Sequence, residues 1–354
     1  MRPRALTGAA AAGALALVGT LAAAPAAQAV TNDPLYDKLW GLQQVHAEQA
    51  WASSTGAGAV VAVVDTGIDF TQPDLQGQIL QGATFTGCPA GQRPCGNGDF
   101  RGPDGQNNGD EHGTHVAGTI AAVRGNGVGV VGVAPDAKIL PVKVLENGSG
   151  SSEDIGDGIR WAADHGADVV NLSLGSLPGG QAFSITGLDS AMQAAIAYAR
   201  SKGVLTVAAA GNSSTALCND PAFTSEGLCI GATDRNGLHT WYSELPNKTD
   251  LKAVSAPGGA GLTSCDDDIW STVPRGTGTA GGCGQADYDA YAGTSMATPH
   301  VAGVAALLYA QGRTVDQVED AILSTAVTPG TGSRGTYTPT YGYGVVDAQA
   351  AVTS

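Results

Sequence analysis

Five short apolar segments, separated by helical patterns, constrain the fold of this chain more than any other feature of its sequence. Each segment is almost continuously apolar, as expected for strands that are covered on both faces of a parallel sheet. Between them lie glycine-terminated helical patterns such as EDIGDGIRWAADHG. This order predicts an α/β fold, a doubly wound, mostly parallel sheet with helices on both faces. The predicted strands are AVVAVVD (59–65), KILPVKVL (138–145), ADVVNLSL (167–174), GVLTVAAA (203–210) and LCIGA (228–232).

The composition fits a globular chain with close backbone packing. Of the 354 residues 52 are glycine, and the hydrophobic share is 43% with only 5% aromatic. The formal net charge of −15 argues against nucleic acid or an anionic membrane as a partner, because both attract basic surfaces. The same acidity is compatible with hard cations bound through oxygen ligands.

The N-terminus has the pattern of a secretory signal. A basic MRPR start is followed by an Ala/Leu/Val-rich stretch and by AAAPAAQA, which offers small residues before a cut after Ala29. We therefore expect a signal peptide at 1–29, a single domain at 30–354, and secretion. No later segment has 18 uninterrupted apolar residues, so no membrane anchor is expected in the mature chain.

Two polar residues stand at the ends of apolar strands. Asp65 closes AVVAVVD, and Asn212 follows VAAAG. In open α/β sheets ligands bind beyond the carboxyl ends of the strands, so both side chains are candidates for a functional site. The alternative is that each is only a strand terminator or turn former.

A serine and a histidine each occupy the expected start of a small-residue helix. Ser295 lies in GTSMATPHVAG, where it is either a helix N-cap or a nucleophile. His112 opens HGTHVAGTIAAV after a polar loop. A hydroxyl becomes nucleophilic when a base takes its proton and a third group orients that base. We expect His300 to point away from Ser295, about 140° around the helix, and His115 to pack or cap.

Four motifs resemble those of the subtilisin-like serine peptidases, the subtilases. They are VVDTGID, HGTHVAGT, AAAGN and GTSMATPHVAG, in the family's order of Asp, His and Ser, and the similarity runs from about Asn32 to the C-terminus. The resemblance implies a serine endopeptidase that forms an acyl-enzyme. In it Asp65 orients His112, His112 is the base and Ser295 the nucleophile. Asn212 and the Ser295 N–H would stabilise the oxyanion.

The resemblance also implies a substrate pocket with small walls and a polar floor. Small walls leave room for a large apolar or aromatic P1 side chain and let an extended peptide pair with the backbone. Protein and peptide substrates and a monomeric enzyme are expected. One wall is Ser173, Leu174 and Gly175, the other is Ala209, Ala210 and Gly211, and the floor is Asn219.

A structural calcium ion is the third implication of the resemblance. The loop VRGNGVGV (123–130) has the length of a calcium loop of the family. Mixed carboxylate and carbonyl ligation suits Ca²⁺. The alternative is that the two acids are ordinary turn residues beside prolines. The implied ligands are the side chains of Asp33, Asp74 and Asn126 and the carbonyls of Val123, Val128 and Val130.

The cysteine count is six, which in an exported protein suggests disulfides. Short separations favour the pairs Cys88–Cys95, Cys218–Cys229 and Cys265–Cys283, although the sequence also allows other pairings and free buried thiols. A zinc site is not expected, because the chain has no C-x-x-C pair.

Two other functions compete with the peptidase. DEHGTH places acids beside two histidines, as a metallohydrolase might require, but the H-E-x-x-H pattern is missing. A non-catalytic peptide-binding module on the same fold is the second alternative. An assay with casein, and inhibition by phenylmethylsulfonyl fluoride, would separate the three.

Overall fold

The computed structural model describes most of the chain beyond its N-terminal segment. The chain divides into Met1–Val30 and a compact unit, Thr31–Ser354. The predicted signal peptide lies outside the described residues except for Met1, and it stays a prediction. The described residues are 1, 31–106, 110–175, 190–223, 226–247, 251–262, 264–279 and 282–354.

A seven-stranded sheet forms the centre of the unit, in the order β2-β3-β1-β4-β5-β6-β7 with every neighbouring pair parallel. The predicted α/β class is confirmed. The strands are β1 (Val60–Asp65), β2 (Ala83–Thr84), β3 (Lys138–Lys143), β4 (Val169–Leu172), β5 (Leu205–Ala209), β6 (Leu228–Thr233) and β7 (Ala253–Pro257).

Four strands of the structure were not predicted from the sequence. The strand β2 has two residues, and β7 is a short run of mostly small residues with one serine, so neither leaves a clear apolar signal. The strands β8 (Ile269–Thr272) and β9 (Tyr288–Tyr291) form a separate antiparallel pair. Their polar residues, such as Ser271 and Asp289, are buried against other elements, which a sequence pattern does not reveal.

Eight α-helices are described. Three short 3₁₀ helices, Tyr36–Lys38, Pro73–Leu75 and Cys265–Asp267, accompany them. None of the described helices is long and apolar enough to cross a membrane. The α-helices are α1 (Trp40–Gln44), α2 (Ala47–Ala50), α3 (His112–Ala121), α4 (Ser152–Asp164), α5 (Ser190–Ser201), α6 (Thr294–Tyr309), α7 (Val315–Thr325) and α8 (Ala348–Thr353).

The helices cover both faces of the sheet, so each strand contributes to two cores. In β1, Val61 and Val63 pack into the cluster that holds α3 and α6, whereas Ala62 and Val64 pack into the cluster that holds α4 and α5. Successive side chains of a strand point to opposite faces. This explains why the strand segments are apolar throughout.

The loops at the carboxyl ends of β1, β3, β4 and β5 lie along one edge of the sheet. The chain runs from β1 to the edge strand β2, returns to β3 beside β1, and then crosses to β4 on the other side of β1. Such a switch in strand order opens a crevice at this edge. Asp65 and Lys143 end β1 and β3 opposite each other in register. Ser173 follows β4, and Asn212 lies three residues after β5.

All six cysteines are paired. The disulfides are Cys88–Cys95, Cys218–Cys229 and Cys265–Cys283, which confirms the nearest-neighbour pattern. Each bridge closes a local loop, with a sequence separation of 7, 11 and 18 residues respectively.

Candidate active site

Asp65 and His112 form a direct hydrogen-bonded pair. Asp65 ends β1 and is fully buried, and His112 is the first residue of α3. The Nδ1 atom of His112 lies 2.8 Å from Oδ1 and 3.0 Å from Oδ2 of Asp65. The backbone N–H of Thr66 donates to Oδ1 at 2.7 Å and fixes the carboxylate. An Nδ1–H that donates to a carboxylate leaves Nε2 as the proton acceptor.

The charge of Asp65 controls the protonation of His112. Burial alone would lower the pKa of this imidazole, but the Coulombic attraction and the hydrogen bond of Asp65 outweigh it, so that the pKa is raised above the ordinary value. The side chain of His112 keeps 32% of its surface exposed, so it remains accessible from the cleft. A raised pKa makes the imidazole a stronger proton acceptor, which suits a general base.

Ser295 is the second residue of α6 and is tied to the end of β4. Its hydroxyl donates to the carbonyl oxygen of Ser173 at 3.2 Å, and the Ser173 hydroxyl donates to the carbonyl oxygen of Ser295 at 2.8 Å. Transfer of the Ser295 proton to His112 therefore requires the hydroxyl to turn from this carbonyl to the imidazole. The N–H of Ser295 belongs to the first turn of α6, where no carbonyl of the same helix can accept it.

The side chain of Asn212 is oriented by the residue before Ser295. Its Oδ1 accepts from the backbone N–H of Thr294 at 2.9 Å and from the Thr294 hydroxyl at 3.0 Å. The backbone N–H can only donate, so it requires the oxygen of Asn212 at this position, and the Nδ2 amide is the group left to donate to a ligand. Thr294 was not predicted from the sequence. Its position next to Ser295 in GTSMATPHVAG was the only available signal.

A cavity of about 200 Å³ adjoins Ser295. It contains most of the predicted substrate-binding residues, while Ala210 is buried and accepts the N–H of Asn219 through its carbonyl at 2.6 Å. A Cβ atom added to Gly211 would lie 2.4 Å from Oε2 of Glu244, so this wall has no space for a side chain. The lining residues are Leu174, Gly175, Ala209, Gly211, Asn212, Ser213, Asn219, Thr294 and Ser295.

A larger cavity of about 570 Å³ shares Leu174 and Gly175 with the first one. His112 and Ser173 also line it. The Ser295 hydroxyl contacts the carbonyl of Ser173, which lines the larger cavity. The imidazole of His112 and the hydroxyl of Ser295 therefore lie along one continuous cleft. A cleft with these dimensions can accept several residues of an extended peptide.

The predicted calcium ligands come together around two buried carboxylates. Asp33 accepts from the N–H of Gly125 at 2.9 Å. Asp74 accepts from Nδ2 of Asn126 and from the N–H of Val130, both at 2.8 Å. Burial raises the pKa of Asp74 to about 7, and the charge of Asp33 acts in the same direction. Val123 and Val128, two of the predicted carbonyl ligands, belong to the same loop. That their carbonyl groups face the ion stays a prediction.

This donor set fits a hard cation better than a transition metal. Among the described residues no three His, Cys, Asp or Glu side chains cluster as metal ligands. Two carboxylates, an amide and a loop of carbonyls are oxygen donors, which Ca²⁺ prefers. A bound cation would offset both the burial of Asp74 and its repulsion from Asp33.

The other histidines of the two helices are buried and make contacts of their own. His115 stacks on Tyr291 at 4.5 Å between ring centroids, and its Nε2 lies 2.9 Å from the carbonyl oxygen of Ile269. Burial lowers the pKa of His115 to about 3 and that of His300 to about 4. The Nδ1 atom of His300 pairs with the carbonyl of Met296 at 2.8 Å. Both rings are packing residues, as expected.

Comparison with known proteins identifies the family. The model of the subtilase family, peptidase family S8, matches residues 56–344. Thermitase from Thermoactinomyces vulgaris, whose motifs this sequence also resembles, is 39% identical and covers 83% of this chain and 91% of its own length. Subtilisin Savinase from Lederbergia lenta is 38% identical, with 88% and 97% covered.

A solved structure supports the same assignment. A chain described as proteases from Pseudoalteromonas arctica superposes with a TM-score of 0.73 at 35% identity, and 91% of this chain and 98% of that chain are covered. The fold, the site and the relatives agree: the chain belongs to the subtilase family and is a subtilisin-like serine peptidase.

Proposed function

We propose that the chain is a secreted endopeptidase of broad specificity that cleaves proteins through Asp65, His112 and Ser295. The observation that carries this proposal is the contact of His112 Nδ1 with both oxygens of the buried Asp65 carboxylate, at 2.8 and 3.0 Å. It leaves Nε2 directed away from Asp65, as a base for a serine at the start of α6.

The proposed reaction is acyl transfer with a covalent intermediate. His112 Nε2 takes the Ser295 proton while Oγ bonds to the carbonyl carbon of the substrate, and the imidazolium then protonates the departing amine. Asp65 stabilises the imidazolium throughout, since its charge already raises the pKa of His112. Water, deprotonated by the same histidine, releases the acyl group and regenerates the serine.

Two donors are available for the oxyanion of the tetrahedral intermediate. They are Nδ2 of Asn212, whose oxygen is occupied by Thr294, and the first-turn N–H of Ser295. The N-terminal end of α6 carries partial positive charge, which favours the same negative group. Because the oxyanion exists only in the transition state, these donors act on kcat rather than on substrate binding.

The cavity beside Ser295 is the proposed P1 site. Its walls of leucine, alanine and glycine suit a large apolar or aromatic side chain. Asn219 contributes a polar group to this cavity, which widens tolerance for polar side chains. The Gly211 backbone is already paired within the protein, since its N–H donates to the Thr294 hydroxyl at 3.2 Å and its carbonyl accepts from the Glu244 N–H at 3.0 Å.

We further propose a structural Ca²⁺ held by Asp33, Asp74, Asn126 and the 123–130 loop. When bound, the ion supplies positive charge to the buried acids and links the N-terminal arm to the domain. No residue of this site belongs to the proposed triad. The ion therefore serves the lifetime of the enzyme, not its chemistry.

Secretion is proposed from the signal pattern at 1–29, and a monomer from the family resemblance. After cleavage at Ala29 the protein would act outside the cell.

Labelling with a fluorophosphonate tests the proposed mechanism. Mass spectrometry of the secreted protein should find the label on Ser295 and the mature N-terminus near residue 30. Ser295→Ala should lose the label and nearly all activity on casein, whereas the control Ser201→Ala, at the exposed end of α5, should keep both. A casein activity that survives in Ser295→Ala would overturn the mechanism. A folded wild type that binds casein without cleaving it would support the peptide-binding alternative.

A further inference from the structure

A lysine without contact to solvent lies beside the proposed triad. Lys143 ends β3 and is 0% exposed, and its Nζ donates to three acceptors. These are Oδ2 of Asp110 and the carbonyl oxygen of Thr66, each at 2.7 Å, and the carbonyl oxygen of Leu145 at 2.9 Å. All three protons of the ammonium group are used, and the Asp110 side chain is itself only 1% exposed.

A buried ion pair of this kind is not explained by stability. Taking both charges out of water costs much of what their attraction returns, and apolar side chains of similar volume often stabilise a fold equally well. The residues of β3 between its two terminal lysines are apolar and pack on both faces of the sheet. The role of the Lys143–Asp110 ion pair therefore depends on the groups that it connects.

One end of the pair holds the strand that carries Asp65. Asp65 and Lys143 are opposite each other in the parallel register of β1 and β3, so their side chains share a face of the sheet. The Nζ atom reaches past this position to the carbonyl oxygen of Thr66, the next residue. It fixes the peptide unit between Thr66 and Gly67, just beyond the end of β1.

The other end of the pair holds the start of the helix that carries His112. Asp110 lies two residues before His112, and its carbonyl oxygen accepts from the Thr66 hydroxyl at 3.2 Å. That hydroxyl in turn accepts from the N–H of Gly113 at 2.9 Å. A Cβ atom at Gly113 would lie 2.3 Å from the carbonyl oxygen of Gly67, so the start of α3 packs against the end of β1 with no space for a side chain.

We propose that Lys143 and Asp110 are positioning residues that set the hydrogen bond between Asp65 and His112. Neither touches the reacting atoms. Lys143 anchors the β1 end through Thr66, Asp110 anchors the α3 start, and their ion pair joins the two anchors. A purely apolar pair could fill the same space, but it could not connect the Thr66 carbonyl to the residue that precedes the helix. The effect on catalysis rests on the proposed function, whereas the effect on the hydrogen bond does not.

The test compares the removal of the Lys143–Asp110 ion pair with the removal of the other lysine of β3. The double variant Lys143→Met/Asp110→Asn removes the pair without leaving a buried charge. The control is Lys138→Met at the opposite end of β3, whose ammonium group donates to Gly77 and Gln78 near the surface. Folding is checked by circular dichroism, thermal melting and intact disulfides.

Two readouts separate positioning from structural support. The first is the low-field proton resonance of His112 Nδ1–H, recorded in a Ser295→Ala background so that autolysis does not interfere. The second is kcat and KM on a chromogenic peptide with Ser295 present. In the folded double variant we expect the resonance to be lost or broadened, kcat to fall at least about tenfold, and KM to stay within about twofold. Lys138→Met should match the wild type in both readouts.

A folded double variant with an unchanged resonance and an unchanged kcat would overturn the proposal. If the double variant does not fold, the single variant Asp110→Asn takes its place, since its amide oxygen still accepts from Lys143. A partial loss of the resonance is then expected, and an unchanged resonance refutes the proposal. If the wild type has no peptidase activity, the proposed function fails, while the resonance still tests the positioning.

Discussion

Replacing Asp65 by asparagine should disable His112 while leaving the fold intact. The structure fixes the orientation of the new amide, because the Thr66 N–H donates to Oδ1 at 2.7 Å and requires an oxygen there. The amide nitrogen would then occupy the Oδ2 position, 3.0 Å from Nδ1 of His112, while the amide oxygen stays 2.8 Å from the same atom. The N–H of the amide nitrogen repels an Nδ1–H and can donate to a bare Nδ1, which favours the tautomer protonated on Nε2, and that tautomer cannot accept the Ser295 proton.

The charge of Asp65 sets the size of the effect. A carboxylate about 3.5 Å from an imidazolium contributes about 5 kcal/mol at an effective dielectric constant of about 20. At about 1.4 kcal/mol per tenfold change in rate, its loss lowers kcat by roughly three to four orders of magnitude. The neutral base form of His112 predominates above its pKa, which Asp65 raises. Without Asp65 only the effect of burial remains, so the acid limb of the residual activity should move to lower pH.

The assay is kcat/KM on a chromogenic peptide across the pH range, with thermal melting as the folding check. The matched control is Asp168→Asn, at the opposite edge of the sheet, where the carboxylate accepts the Val60 N–H at 2.9 Å and an amide oxygen can do the same. The control should keep wild-type kcat. A loss smaller than about tenfold in folded Asp65→Asn, or an acid limb that moves to higher pH, would refute this account of Asp65.

Two further predictions concern the oxyanion site and the calcium site. Asn212→Ala should lower kcat by about 10²–10³ with little change in KM, since its Nδ2 donates only to the developing oxyanion; a rise in KM with unchanged kcat, measured by steady-state kinetics, would contradict this role. Chelation should shorten the thermal inactivation half-life while initial rates at low temperature stay nearly constant, because a ligand at about 1,000-fold above Kd stabilises the native state by about 4 kcal/mol. Asp74→Ala should show the shorter half-life with calcium present and respond little to chelator; a wild-type half-life that is the same in chelator and in millimolar calcium would argue against this site.

The sequence alone predicted the fold class and, through the family resemblance, the positions of the proposed triad, and it favoured the disulfide pairs without excluding other pairings. Continuous apolar strands such as AVVAVVD followed by glycine-terminated helices are specific to a parallel sheet covered on both faces, and Asp65 is conspicuous as the charge at the end of such a strand. These signals are local, because they depend on the period of a strand or helix and on short loops. The cysteine pairs are local in the same sense, because their members are only 7, 11 and 18 residues apart.

Only the tertiary structure decided how residues that are distant in sequence meet. Lys143 lies in the predicted strand KILPVKVL, and its partner Asp110 lies 33 residues away. The contact that orients Asn212 comes from Thr294, 82 residues further along. Such contacts depend on the strand order, with β1 between β3 and β4, and on the register that sets Asp65 opposite Lys143. Strand order and register follow from the packing of the whole sheet between its two helix layers, and no single segment of the sequence encodes them.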